Sequence, residues 1–257
     1  MVKGLAKFAE FFTDYRDQYV LIGGVATVLA LEDAGLEARA TKDLDIVLCV
    51  EALTPAFGER MWAFIRAGEY ELNERGAEPR RFYRFRKPKN PEFPAMLEFF
   101  AREPGFVPLA DGAHLTPVPI DDAVESLSAI LLDDGYYRFI HDNKRVLDGL
   151  QVVNDRCLIP LKARAWLDLR DRKAGGEEID GKNITKHRND VLRLSQLLTL
   201  GVSTALASSI TADMRRFVDE LAVELDIGLL KSLGLTGTPE DIEERLRSVY
   251  GLKDADH

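Results

Sequence analysis

Cysteine is nearly absent from this chain: two in 257 residues, Cys49 and Cys157, each inside an apolar run and with no CxxC or Cys/His spacing. That excludes a disulfide framework and a zinc framework, and two isolated thiols of this kind are expected to be buried, in a reducing cytosol. An excess of positive charge is also missing. With 34 Lys and Arg against 43 Asp and Glu, the net charge is -9, so no global basic field draws in nucleic acid. No apolar run reaches the roughly 18 residues of a membrane-spanning helix. The first residues, MVKGLAKFAEFFTDYRDQ, carry acids too early for a secretory segment. Neither GxSxG nor a Cys/His pattern occurs, so a Ser or Cys nucleophile is not expected. What remains is the composition of a globular protein, 46% apolar and 30% charged, expected to be cytoplasmic.

Periodicity sketches the elements. Leu5, Phe8, Phe11 and Phe12 stand at helical spacing, and YVLIGG reads as a short strand ending at Gly23 and Gly24. VATVLALEDAG reads as a helix closed at Gly35, residues 44–50 as a strand, and Pro55 opens a helix to about Arg66. RRFYRFRKP and PAMLEFFA are two strands joined by the turn KPKNPEF. Residues 104–119, with four prolines, read as a loop, and 121–134 as a helix. YYRFIHD, KRVLDGLQVVN and CLIP look β-like. After Pro160 the patterns are helical, broken by a loop over 172–183. The expected architecture is α/β (α+β). A mixed-sheet domain over 1–157, with inserted β/α elements after about 118, precedes a helical domain over 158–257.

One segment, ARATKDLDIVLCV (38–50), contradicts its own surroundings. Leu44, Ile46, Val47, Leu48, Cys49 and Val50 belong in a core, and Asp43 and Asp45 do not. Burying ionised carboxylates costs several kcal/mol unless something compensates. Alternation along a strand puts Asp43 and Asp45 on one face. Glu98, in MLEFF, is flanked in the same way by Leu97 and Phe99. If its strand neighbours 44–50, three carboxylates cluster, and hard oxygen ligands of this kind suit Mg²⁺ or Mn²⁺ with substrate phosphates. Such a set is able to hold two ions about 3.5–4 Å apart. Gly23 and Gly24, between a strand and a helix, allow close backbone approach to a phosphate at a helix N-terminus. Taken singly, a D-x-D is also an edge or a cap, and a glycine pair is also a tight turn. The order of strand, Gly-Gly, helix, D-x-D strand and acidic strand joins them.

That order resembles the DNA polymerase β-type nucleotidyltransferase superfamily, and within it the AbiEii-like nucleotidyltransferase toxins of type IV toxin–antitoxin systems. The Arg-x-Thr-x-Asp-x-Asp segment of that branch is matched by Arg39, Thr41, Asp43 and Asp45. The resemblance covers the first hundred residues. It implies NTP as substrate, Asp43, Asp45 and Glu98 as metal-binding and catalytic residues, and Gly23, Gly24, Arg39 and Thr41 as nucleotide-binding residues. A lysine near the start of the C-terminal domain is matched by Lys162, and a basic segment ending in Asp by Lys186, His187 and Asp190. Lys162, His187 and Asp190 are thereby implied in nucleotide binding as well. The resemblance implies transfer of NMP to an acceptor hydroxyl of RNA, the tRNA 3′ end foremost, or of protein, and a cognate antitoxin as partner. No membrane partner is expected.

Three other readings stay open. The acidic charge suits a cationic small-molecule acceptor of the aminoglycoside type. The fold is also compatible with a nucleotide-binding module that has lost turnover. RRFYRFRKPK (80–89) mixes Arg, Lys and three aromatics. It is either an RNA-facing, stacking surface or an amphipathic hairpin with its rings turned inward.

Overall fold

The computed structural model describes residues 2–49, 51–71, 82–102 and 130–252. The chain packs as two units. The first contains residues 2–32, 36–102 and 144–153, and the second 33–35, 130–143 and 154–252, counting described residues. The proline-rich stretch 104–119, most of the helix expected over 121–134, Val50, Arg80 and Arg81 lie outside the described residues.

In the first unit the elements are α1 (Leu5–Phe11), a 3₁₀ turn (Thr13–Gln18), β1 (Tyr19–Ile22), α2 (Gly23–Asp33), β2 (Asp43–Leu48) and α3 (Pro55–Ala67). Then come β3 (Phe82–Arg86), β4 (Met96–Phe100), β5 (Lys144–Leu147) and β6 (Leu150–Val153). The strands form one six-stranded mixed sheet in the order β3-β4-β2-β1-β6-β5. β2 runs parallel to β4 and β1 parallel to β6, and the remaining neighbours are antiparallel. Helix α3 opens as its sequence predicts. Thr54 caps it, its hydroxyl accepting from the Phe57 N–H at 3.3 Å, with Pro55 in the first turn.

The period of two sorts the sheet's faces. Tyr19 and Leu21, Leu44, Ile46 and Leu48, Tyr83 and Phe85, and Leu97 and Phe99 all enter one buried cluster. Phe8, Phe12, Phe57 and Phe64, from the helical side, complete it, with Phe8 edge-on to Tyr19 at 5.3 Å and to Phe64 at 5.6 Å. Each fully buried ring of this kind contributes about 1.5–3 kcal/mol of transfer free energy. Residues one step along each strand must face the other way, and Asp43, Asp45, Arg84 and Glu98 are among them. Both cysteines are buried, and burial pushes the Cys49 thiol up to about 11.

The second unit is helical: α4 (Asp134–Asp142), α5 (Asp155–Ala174), α6 (Gly181–Leu194), α7 (Ser208–Glu224), α8 (Ile227–Ser232) and α9 (Pro239–Val249). Helix α5 packs on α6 and α7, with Trp166 edge-on to Phe217 at 5.2 Å. Three expectations need correction here. YYRFIHD is helical, not β-like: Asp133 caps α4 by accepting from the Tyr136 N–H at 3.0 Å, and Tyr136, Tyr137 and Ile140 then fall on its buried face. A local cap has overridden the strand preference of Tyr, Phe and Ile. CLIP lies inside α5, which begins at Asp155, ahead of Pro160 and of the expected boundary at 157. The loop expected over 172–183 is shorter, because α5 runs to Ala174 and α6 starts at Gly181. KRVLDGLQVVN is the β5–β6 hairpin, and β6 extends the sheet beside β1.

Pro160 misled because a proline six residues into a helix cannot donate to the carbonyl four residues back. That carbonyl belongs to Arg156, and the Tyr250 hydroxyl donates to it at 3.0 Å. Asn154 meanwhile caps the helix start, accepting from the Cys157 N–H at 2.9 Å. Tyr250→Phe strips the replacement donor from a part-buried acceptor. It is expected to lower stability by about 1–2 kcal/mol, read as a urea midpoint shift without loss of helical circular dichroism. An unchanged midpoint would show that the Arg156 carbonyl does not depend on Tyr250.

Candidate active site

Parallel pairing of β2 with β4 sets Asp45 opposite Glu98, and antiparallel pairing of β4 with β3 sets Glu98 opposite Arg84. Side chains in register on adjacent strands share a face. Asp43, Asp45, Glu98 and Arg84 therefore stand on the polar face, with Leu44, Leu97 and Phe85 beneath them in the core. The structure thus places the three acids singled out from the sequence on one face, with Asp45 and Glu98 side by side. Asp43 and Asp45 are half-buried and Glu98 is buried.

Strand β1 ends beside them. Ile22 pairs with Asp45, and the next residue, Gly23, takes φ +63° as α2 begins. A Cβ on Gly23 would lie 1.8 Å from Asp45 Oδ2. The residue is glycine for two reasons at once, its left-handed backbone and the carboxylate packed against it. The Gly24 N–H, in the first turn of α2, donates to the same oxygen at 3.3 Å. A Cβ on Gly24 would meet Thr41 Oγ1 at 2.9 Å, with an Arg39 guanidinium nitrogen at 3.8 Å. The five residues implied around the turn, Gly23, Gly24, Arg39, Thr41 and Asp45, are gathered at one place.

Glu98 does not stand open beside them. Its Oε1 accepts from Arg84 Nε at 2.6 Å and lies 2.5 Å from Arg84 Nη2, and both side chains are under one-tenth exposed. Burial pushes the Glu98 carboxyl up to about 8, the charge of Asp45 and a hydrogen bond between the two acids push the same way, and Arg84 pulls it down. The ion pair with Arg84 argues for an ionised Glu98, whereas the raised value argues for a proton. Charge counting favours the proton, because one guanidinium balances only one of two facing carboxylates. The second negative charge is met by a proton or by a cation.

Arg84 is the residue that sequence reading missed. Its signal was present: between Tyr83 and Phe85, both buried, a period of two turns it to the face of Glu98. The basic hairpin is accordingly the amphipathic alternative, with Tyr83 and Phe85 inward. Two of its exposed lysines sit near acids, Lys87 at 3.4 Å from Glu71 and Lys89 at 4.0 Å from Glu69.

The donor set fits a hard divalent cation. Asp43 and Asp45 offer carboxylate oxygens from one strand face, and the missing Cβ of Gly23 lets Asp45 Oδ2 lie against the turn. Among the described residues, no group of three or more His, Cys, Asp or Glu side chains is arranged to hold a metal ion. The fit is therefore to the two-carboxylate kind of site, whose remaining ligands are substrate phosphates and water.

Lys162, His187 and Asp190 all belong to the second unit. Lys162 on α5 donates to Asp190 on α6 at 2.9 Å, with side chains 5% and 1% exposed. His187 is half-buried and Lys186 exposed on α6. Asp190 is thus held in a buried ion pair with Lys162.

Comparison of the chain with family models, with curated proteins and with solved structures returns no match.

Two outcomes follow from this geometry. Between the ordinary Glu value of about 4.3 and a folded value of about 8, the native chain holds a proton on Glu98 that the unfolded chain has released. Raising pH through that window therefore removes stability. In EDTA the urea midpoint is expected to fall from pH 5 to pH 8 in the wild type. In Glu98→Gln it should fall less, with a gain on the order of 1–3 kcal/mol at pH 8; equal slopes would remove the shared proton. The second concerns the helical unit. Lys162→Met leaves Asp190 buried without its cation and is expected to cost roughly 3–5 kcal/mol in urea unfolding. A loss below about 1 kcal/mol, the size of an exposed ion pair, would instead mark Lys162 as dispensable to the fold.

Proposed function

We propose that this protein is a metal-dependent nucleotidyltransferase, moving NMP from an NTP to an acceptor hydroxyl. The observation that carries the proposal is the register that sets Asp45 opposite Glu98, on the face that also bears Asp43, beside the Gly23-Gly24 turn. The resemblance to the DNA polymerase β-type superfamily and its AbiEii-like branch supports the same reading.

In this proposal Asp43 and Asp45 hold Mg²⁺ or Mn²⁺ together with the triphosphate. The cation supplies Lewis-acid stabilisation of phosphoryl charge and eases loss of the acceptor's proton. The N-terminus of α2 offers N–H groups and the positive end of a helix dipole to phosphate oxygens. Arg39 and Thr41, packed over Gly24, add a charged and a hydroxyl contact at the same turn. The acceptor oxygen bonds to the α-phosphorus as the bond from that phosphorus to the bridging oxygen of the β-phosphate breaks. Pyrophosphate leaves, and an Asp45 oxygen takes the hydroxyl proton.

RNA, with the tRNA 3′ end first, or a protein hydroxyl is the proposed acceptor, in the cytoplasm, with an antitoxin as regulatory partner. A second reading is favoured by charge. The net charge is -9, and three basic residues of the 80–89 hairpin lie against acids, Arg84, Lys87 and Lys89. Both features suit a cationic small-molecule acceptor better than a polyanion. No helix among the described residues is long and apolar enough to cross a membrane.

The test is transfer of label from each α-³²P-NTP, with Mg²⁺, to total RNA, to the protein itself and to a panel of aminoglycosides. Wild-type transfer is expected, and Asp43→Asn and Asp45→Asn should each lower it roughly 100-fold or more. Label on an aminoglycoside alone selects the second reading. Mg²⁺-NTP binding without transfer to any acceptor, or no binding by calorimetry, would leave a module without turnover and sink the proposal.

A further inference from the structure

Asp45, Glu98 and Arg84 stand in one row across β2, β4 and β3. The row is anchored at both ends. At one, Asp45 Oδ2 accepts from the Gly24 N–H at 3.3 Å and packs where Gly23 lacks a Cβ. At the other, the Arg84 guanidinium places two nitrogens on the single Glu98 oxygen Oε1, at 2.6 and 2.5 Å. A guanidinium fork fixes the orientation of the carboxylate it meets and balances its charge. With both side chains under one-tenth exposed, water does not screen that contact, and parting the pair would leave two buried charges unmet. Glu98 is thus already supplied with a cation by the protein. A metal ligand has to be free to give its oxygens to the metal, and here Oε1 is given to Arg84.

We propose that Arg84 occupies the role of a second metal ion, so that the site carries one divalent cation, on Asp43 and Asp45. Glu98 is then a positioning residue that holds Asp45 rather than a metal ligand. The inference rests on the metal-dependent reading above and narrows it. It accounts for the absence, among the described residues, of any three-ligand metal group. It also explains why an arginine occupies a strand position whose neighbours Tyr83 and Phe85 serve the core. Supporting residues that orient a metal ligand typically change metal affinity by about 10–100-fold when removed, without changing the number of ions bound.

The experiment counts Mn²⁺ on the full-length protein by the loss of the free-ion electron paramagnetic resonance signal. The Asp43→Asn, Asp45→Asn double variant is subtracted as background. A difference of one ion per chain is expected for the wild type. Glu98→Gln, whose amide still accepts from Arg84 and reaches Asp45, should keep that ion within about threefold in affinity, a smaller change than outright removal of a supporting residue brings. Glu98→Ala should bind it about tenfold more weakly, again with a count of one. Thermal melts verify that each variant is folded, and if Glu98→Ala is not, the wild-type count and Glu98→Gln decide. A difference of two ions, or loss of an ion in Glu98→Gln, overturns the role given to Arg84 while leaving a metal-dependent enzyme in place. A difference of zero overturns the metal-dependent reading and this inference with it.

Discussion

The polar edge of the sheet depends on one close approach, a carboxylate lying against a residue that has no side chain. Asp45 Oδ2 occupies the space of a Gly23 Cβ and receives the Gly24 N–H. Because Gly23 adopts φ +63°, the chain leaves β1 and enters α2 without an intervening loop. The first turn of a buried helix is thereby placed beside the polar end of β2. Any other residue at 23 would meet both a strained backbone and a collision. The acidic strand, the turn and the helix N-terminus are held in one relation by that contact.

From there the pairing register does the remaining work. A slip of one residue between β2 and β4 would turn Glu98 into the aromatic core and Phe99 onto the polar face. The cluster of Ile46, Phe99, Phe85 and Leu97 with Phe8, Phe12, Phe57 and Phe64 prevents this. Core packing and site geometry are therefore the same constraint seen from two faces of the sheet. The apolar partner of each charged residue determines where the charge stands.

The two places where acids are buried are balanced differently. In the helical unit Lys162 meets Asp190, both buried, and an ion pair of this kind is a structural feature whose removal costs stability. In the sheet unit Arg84 meets Glu98, and Asp45 and Asp43 remain on the same face. Asp43 and Asp45 are partly exposed there, next to N–H groups and a helix N-terminus that suit phosphate. Perturbed carboxyl groups gather at functional sites. Burial chiefly, and the Asp45 charge next, raise the Glu98 carboxyl there.

This balance also separates what was legible in the sequence from what was not. Strands flanking Asp43, Asp45 and Glu98 were readable because a period of two puts charge on one face and Leu, Ile and Phe on the other. Gly23 and Gly24 were readable because they stand between a strand and a helix in one order with the acidic strands. The neighbouring of β2 and β4 had to be assumed, since no local pattern encodes which strands pair. Arg84 was hidden for a related reason: among several arginines in one hairpin, only the register shows which one meets Glu98. Helices α4 and α5 were obscured by residues whose local preference opposes their surroundings. Tyr136, Tyr137, Phe139 and Ile140 favour strands, and Pro160 signals a helix start. In each case a distant or capping partner overruled them, Asp133 for α4 and the Tyr250 hydroxyl on the Arg156 carbonyl for α5. Where one side chain satisfies its own neighbours, sequence suffices; where satisfaction comes from a hundred residues away, only the fold discloses it.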